Sequence, residues 1–206
     1  MTLSRIIGMT HEGYGGICVV IVLLRHGRPL IADNMRLSAA EFGHWLGEYE
    51  TAGIDDSSTP SHETCELARQ CAMVVCSHLK RSIESANALG ITSIGMKDSA
   101  FREIEMPYTQ WTFPKLTPTA WSMIFRIFWI LGYSQHAESF KQAKVRARTC
   151  AEKLEKIARE HHSVLYIGHE MLNWHMAKHL LRLGWTGPNC ARQSYWEFGV
   201  YRFPMK

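Results

Sequence analysis

The stretch ICVVIVLL, residues 17–24, constrains this fold more than any other. Its eight residues are all apolar and five are β-branched. A strand with two apolar faces must be covered on both sides, so this one belongs in the middle of a sheet between helices. Eight residues are too few to span a bilayer. Arg25 follows the run where a secretory signal would have a small-residue cleavage site, so no signal peptide is expected. The apolar stretch 121–131 is also short, and Ser122 and Arg126 interrupt it. The expectation is a cytoplasmic, soluble protein that does not touch a membrane.

Periodicity extends the same architecture along the chain. Ser38-Ala-Ala-Glu41 has the form of a capping box, followed by Phe42, Trp45, Leu46 and Tyr49 on one helical face. Short helices are expected near 62–70 and 80–89, with a strand at 72–76 between them. Thr117-Pro118 looks like an N-cap with proline at the first helical position, opening a helix that stops near Gly132. A long helix over 138–160, a strand at 163–167, a helix over about 171–183 and a strand at 195–202 complete the series. Strands alternating with helices imply a single-domain, three-layer α/β/α sandwich with a mostly parallel central sheet. A length of 206 residues, with no linker or repeat, suits one domain.

In such folds ligands gather beyond the carboxyl ends of the strands, and here those ends are polar. The first strand ends in Arg25-His26. The second ends in Ser77-His78-Leu79-Lys80-Arg81 and the third in Gly168-His169-Glu170, each at a helix start. Two arginines and two histidines without an evident carboxylate ligand do not form a metal site. They form an anion site, because guanidinium forks match phosphate oxygens and helix N-termini add N–H groups. A neutral imidazole held at its other nitrogen is also a nucleophile toward phosphorus. The net charge of +4 suits an anionic small substrate, while the scattered Lys and Arg do not make a nucleic-acid surface. The six cysteines include no C-x-x-C pair and are expected to be reduced thiols.

These segments resemble the histidine phosphatase superfamily, also called the phosphoglycerate mutase-like family. Arg25-His26-Gly27 is similar to its R-H-G motif, and SHLKRSIESA resembles the segment carrying the second phosphate-binding arginine, here Arg81. VLYIGHE places His169 at the second family histidine, and FREIE resembles the L-x-E segment, mapping the catalytic acid to Glu103. The resemblance implies one histidine phosphatase-like domain over 1–206, with 104–140 as a cap or specificity insertion. It implies in-line attack by His26, with Arg25, Arg81 and His169 stabilising the phosphoryl oxygens and no cofactor or metal. Glu103 would protonate the leaving oxygen, which implies a surrounding that favours its neutral form.

Several positions stay open at this stage. Glu105 lies two residues beyond Glu103 and would point the same way in an extended segment. Arg28 and Asn34 are either substrate-binding residues or plain exposed loop. Arg126 either reaches the pocket or snorkels. His175 and His179 are spaced for a metal but lack a third ligand, so an exposed helix face is expected. Glu170 and Ser85 depart from the family's usual glycine and threonine. The segment MPYTQWTFPKL does not resemble a mutase's, which favours a phosphatase acting on a phosphorylated small molecule or phosphoprotein. The alternatives are a mutase-type phosphoryl transferase and a non-catalytic phospho-ligand binder.

Overall fold

The computed structural model describes residues 10–11, 14–189 and 194–204, with side chains from Cys18 onward. Strands β1 (Thr10–His11) and β2 (Tyr14–Arg25) lead into α1 (Ala39–Thr51) and α2 (His62–Gln70). Next come β3 (Met73–Ser77), α3 (Lys80–Ala88) and β4 (Met96–Asp98), the last followed by a 3-10 turn at Ser99–Phe101. Helices α4 (Pro118–Ile130) and α5 (Phe140–His161), strand β5 (Ser163–Gly168), helix α6 (Glu170–Arg182) and strand β6 (Phe198–Pro204) complete the order.

The central sheet runs β6-β2-β5-β3-β4. The pairs β2–β5, β5–β3 and β3–β4 are parallel, and only the edge strand β6 is antiparallel to its neighbour. Short β1 pairs antiparallel with the first part of β2. The α/β fold with a mostly parallel sheet is therefore the one the periodicity implies. The short strands β1 and β4 were not foreseen, since neither carries a recognisable apolar run.

Strand β2 divides its side chains as its composition demands. Val19, Ile21 and Leu23 enter a core with residues of α5 and α6, whereas Val20, Val22 and Leu24 enter a second core with residues of α2 and α3. All six are 0–1% exposed. Full burial of each such side chain is worth about 1.5–3 kcal/mol, so a polar substitution on either face would damage a layer.

Local signals set the helix starts. Ser38 and Glu41 close a reciprocal capping box on α1, and Thr117 Oγ1 accepts the Ala120 N–H with Pro118 at the first position of α4. Helices α1 and α4 share a third, aromatic cluster of Phe42, Trp45, Trp121 and Phe125, separate from the two sheet cores. His175 and His179 depart from the expected exposed face. His175 is buried against Trp129, Phe140 and Trp174, and His179 faces Glu152 at 3.6 Å. Five cysteines are free thiols, while Cys190 lies outside the described residues. Among the described residues no helix is long and apolar enough to cross a membrane.

Candidate active site

Strand register builds the site. Arg25 on β2 pairs with Gly168 on β5, and the ladder continues one step further as the His26 N–H donates to Gly168 O at 2.9 Å. The next residue on each strand is a histidine, and the two rings meet edge to face with centroids 5.0 Å apart. On the other side of β5, Cys76 of β3 pairs with Ile167, which brings Ser77 and the start of α3 beside His169. Arg81, the second residue of α3, then reaches back to His26 with Nε 3.3 Å from Nε2. His26, Arg81 and His169 are no more than 1% exposed.

The hydrogen bonds of His26 select its tautomer. Nδ1 lies 2.7 Å from the Gly27 carbonyl, which can only accept, so Nδ1 carries the proton and Nε2 keeps its lone pair. Burial, and then the charge of Arg81, hold the His26 pKa well below its ordinary value of 6.5. The ring is therefore neutral near pH 7, as a nucleophile must be. Cys76, close by on β3, is pushed up to about 12 by burial and is a poor thiolate.

His169 is likewise held neutral by burial and by its cationic neighbours. Its Nε2 lies 2.8 Å from Ser77 Oγ and 3.4 Å from Ser82 Oγ, while Nδ1 is buried without a partner among the described residues. Such a nitrogen costs about 1–3 kcal/mol unless a ligand supplies its partner. Ser85 Oγ joins two of the motifs, accepting the Gly27 N–H at 2.9 Å and donating to Arg81 O at 2.6 Å. Glycine at position 27 has a steric reason, because a Cβ there would fall on the Trp196 indole. None of the roles of Ser77, Ser82 and Ser85 was legible beforehand.

Above this floor opens a cavity of about 710 Å³. Arg25, Arg81, Glu103, Glu170 and Tyr195 are among the residues that line it, while the buried His26 and His169 are not. Two tyrosines flank the two arginines, with Arg25 4.1 Å from the Tyr195 ring centre and Arg81 4.7 Å from that of Tyr49. Arg81 Nη1 also donates to the carbonyls of Tyr49 and Glu50, which fixes the guanidinium. Tyr195 has no motif around it. No pattern could have revealed it.

The carboxylates sort by their partners. Glu103 Oε1 accepts from the backbone N–H of Ile104 at 2.7 Å and of Leu172 at 3.3 Å, and Oε2 from Met171 at 3.5 Å. Glu103 thus lies against the first turn of α6, held by backbone N–H donors. Glu105 is engaged at both oxygens, by Arg102 Nε at 3.3 Å and the Glu138 N–H at 2.7 Å. Glu170 pairs with Arg25 at 2.7 Å. Among the described residues Glu103 is the one of these three without an ion pair.

Arg146 of α5 holds this segment in place. Its guanidinium donates to the carbonyls of Ala100, Arg102 and Glu103 and pairs with Glu138. Arg28 lines the cavity mouth with its side chain 56% exposed. Asn34 does not join the site, since it is exposed and lies outside the cavity lining. Arg126 does reach the cavity from α4, with its Nη1 buried and its guanidinium 5.0 Å from the Trp129 ring centre.

Two neutral imidazoles and two guanidiniums thus gather at three strand ends of an α/β sandwich. The chain belongs to the histidine phosphatase superfamily (branch 1), whose family model matches residues 65–203. That match contains Arg81, Glu103 and His169; Arg25 and His26 precede it and are joined to it by the β2–β5 ladder.

Solved structures agree on the fold. The open reading frame Rv3214 product of Mycobacterium tuberculosis superposes with a TM-score of 0.58 at 15% identity, covering 91% of this chain and 95% of that one. The mycobacterial glucosyl-3-phosphoglycerate phosphatase Rv2419c complexed with VO3 gives 0.56 at 19% identity, covering 86% and 98%. Mycobacterial hydrolase 1 gives 0.54 at 20% identity, covering 80% and 82%. No curated protein sequence matches the chain.

Proposed function

We propose that this protein is a phosphatase that hydrolyses a phosphomonoester, or a phosphoprotein, through a phosphohistidine on His26. One observation carries the reading: a buried, neutral imidazole with Nε2 unprotonated lies against Arg81 and beside a second imidazole with an orphaned nitrogen. Phosphatase neighbours at under 25% identity support it through the fold alone.

In the first step the His26 Nε2 lone pair attacks phosphorus in line, and the P–O bond to the leaving alcohol breaks. Arg25, Arg81 and His169 hold the equatorial oxygens, supplying the positive charge and N–H donors that the transition state needs. Glu103 delivers a proton to the leaving oxygen. In the second step it takes a proton from the water that attacks the phosphohistidine, and His26 leaves as the neutral imidazole. Residues 104–140 act as the cap that shapes the entrance, with Arg28 at its rim. The substrate is a phosphorylated small molecule or protein, not a nucleic acid or membrane, and the free thiols fit the reducing cytoplasm.

A rapid quench with ³²P-labelled substrate tests the proposal. The wild-type enzyme should yield a labelled protein that is acid-labile and alkali-stable, as a phosphoramidate is, without added metal. His26→Ala should lose both label and turnover. A mutase would pass the label to added phosphoglycerate faster than to water. A folded protein that binds phosphate but never labels would overturn the enzymatic reading.

A further inference from the structure

We propose that Glu170 sets the charge specificity of this cavity, as a resident counter-ion of Arg25 that favours phosphomonoesters with an uncharged body over those with a second anion beside the scissile group. This rests on the phosphomonoester reading above. Glu170 is the first residue of α6 and directly follows His169, so its side chain starts at the floor of the site. Its Oε2 lies 2.7 Å from Arg25 Nη1, with the side chains 32% and 14% exposed, so solvent screens the pair only in part.

The counter-ion changes what a substrate meets. One nitrogen of Arg25 is already engaged, and Arg81 spends its Nη1 on two backbone carbonyls. An arriving phosphoryl group finds two arginines but also a carboxylate at hydrogen-bond distance from one of them. Burial raises the Glu170 pKa, Arg25 opposes that rise, and the nearby Glu103 adds to it.

Around the whole cavity five arginines face five acidic side chains, so even with Glu103 protonated a second anion meets little net positive charge. The rest of the wall includes Ile31, Trp45, Leu46, Met106 and Met123. A volume of about 710 Å³ with such walls fits a phosphoryl group on a bulky, uncharged and largely apolar alcohol.

The test compares wild type with Glu170→Gln and Glu170→Ala, run in parallel so that misfolding of one leaves the other readable. KM is measured for 2-naphthyl phosphate and for fructose 1,6-bisphosphate, and the affinity for inorganic phosphate by calorimetry. Wild type should prefer the naphthyl ester. Both variants should lower KM for the bisphosphate by about tenfold more than for the naphthyl ester, the effect of removing one like charge from a partly screened site. They should also bind inorganic phosphate at least about threefold tighter.

A KM ratio that moves by less than about twofold, with unchanged phosphate affinity, would overturn the proposal and leave Glu170 as a helix N-terminal charge. If wild type neither turns over nor labels, the phosphatase reading fails by itself. The phosphate titration still decides the role of Glu170, since tighter binding in the variants supports it and equal binding overturns it.

Discussion

The floor and the wall of the cavity are built by different physics. The floor stands on β2, β5 and β3, where parallel ladders set every backbone position and the apolar side chains beneath are almost wholly buried. The wall is shared by residues 104–140, α1 and residues 28–33, and 104–140 is pinned by the Leu37–Leu116 bridge and by single side-chain bonds to the main chain. Trp121 Nε1 donates to Leu37 O at 2.7 Å, Tyr133 Oη to Tyr108 O at 2.9 Å and Trp129 Nε1 to Glu138 O at 2.7 Å. It also leaves Trp111, Ile127 and Leu131 exposed. A ladder shared by several strands cannot shift at one residue without disturbing its neighbours. A wall held by separate bonds can change one contact at a time, which makes the floor suited to constant chemistry and the wall to substrate preference.

Glu103 sits at the seam, bonded to α6 and carried by the segment that begins the wall. Glu103→Gln should reduce turnover of an alkyl phosphate by about 10²–10⁴-fold, the usual worth of a general acid, and that of 4-nitrophenyl phosphate by far less. The aryl group leaves with little protonation. Equal losses on both substrates would move the role to Glu105 or to neither, and the seam would be structural only.

Arg146 tests how the wall is tied to the sheet. Its side chain and that of Glu138 are 13% and 9% exposed, and Arg146→Met would leave the Glu138 carboxylate without its cation. A loss of about 3–5 kcal/mol in urea unfolding is expected, as for other broken buried pairs. A loss below about 1 kcal/mol would mean that the wall is fastened elsewhere.

Acid should weaken the floor before it weakens the surface. His26, His169 and His175 are all shifted downward by burial, His175 to about 4 from an ordinary 6.5. Above pH 6.5 these groups are neutral in both states and contribute no pH dependence. Below it the unfolded chain takes up protons that the folded chain refuses, so stability falls as pH drops from 6.5 toward 4. Urea midpoints between pH 6.5 and 5, above the range of ordinary carboxylates, isolate this effect. A flat midpoint there would show that these rings accept protons in the folded protein. The smallest effect belongs to the wall's outer face, where Ile127 is 53% exposed. Ile127→Gln should change stability by no more than about 0.5 kcal/mol, and a larger loss would reveal a covered surface.

Much of this was legible in the residues themselves. The two-faced run of β2 required a covered central strand, and Ser38, Glu41, Thr117 and Pro118 marked helix starts, because capping depends on neighbours within one turn. The placement of Arg25, His26, Arg81 and His169 at strand ends followed from where apolar runs stop. Other features depend on chain segments far apart in sequence, and only the tertiary structure decided them. The Arg25–Gly168 register put two imidazoles in contact, and the Cys76–Ile167 register placed Ser77 and Ser82 against His169. Docking of 194–197 laid Tyr195 against Arg25, and α5 delivered Arg146 to three carbonyls. The direction of Glu170, toward Arg25, was settled the same way. Local sequence encodes dihedral preferences and apolar periodicity over a turn or a strand. Which side chains then meet depends on how separate elements stack and register, and that is set by the packing of the whole core.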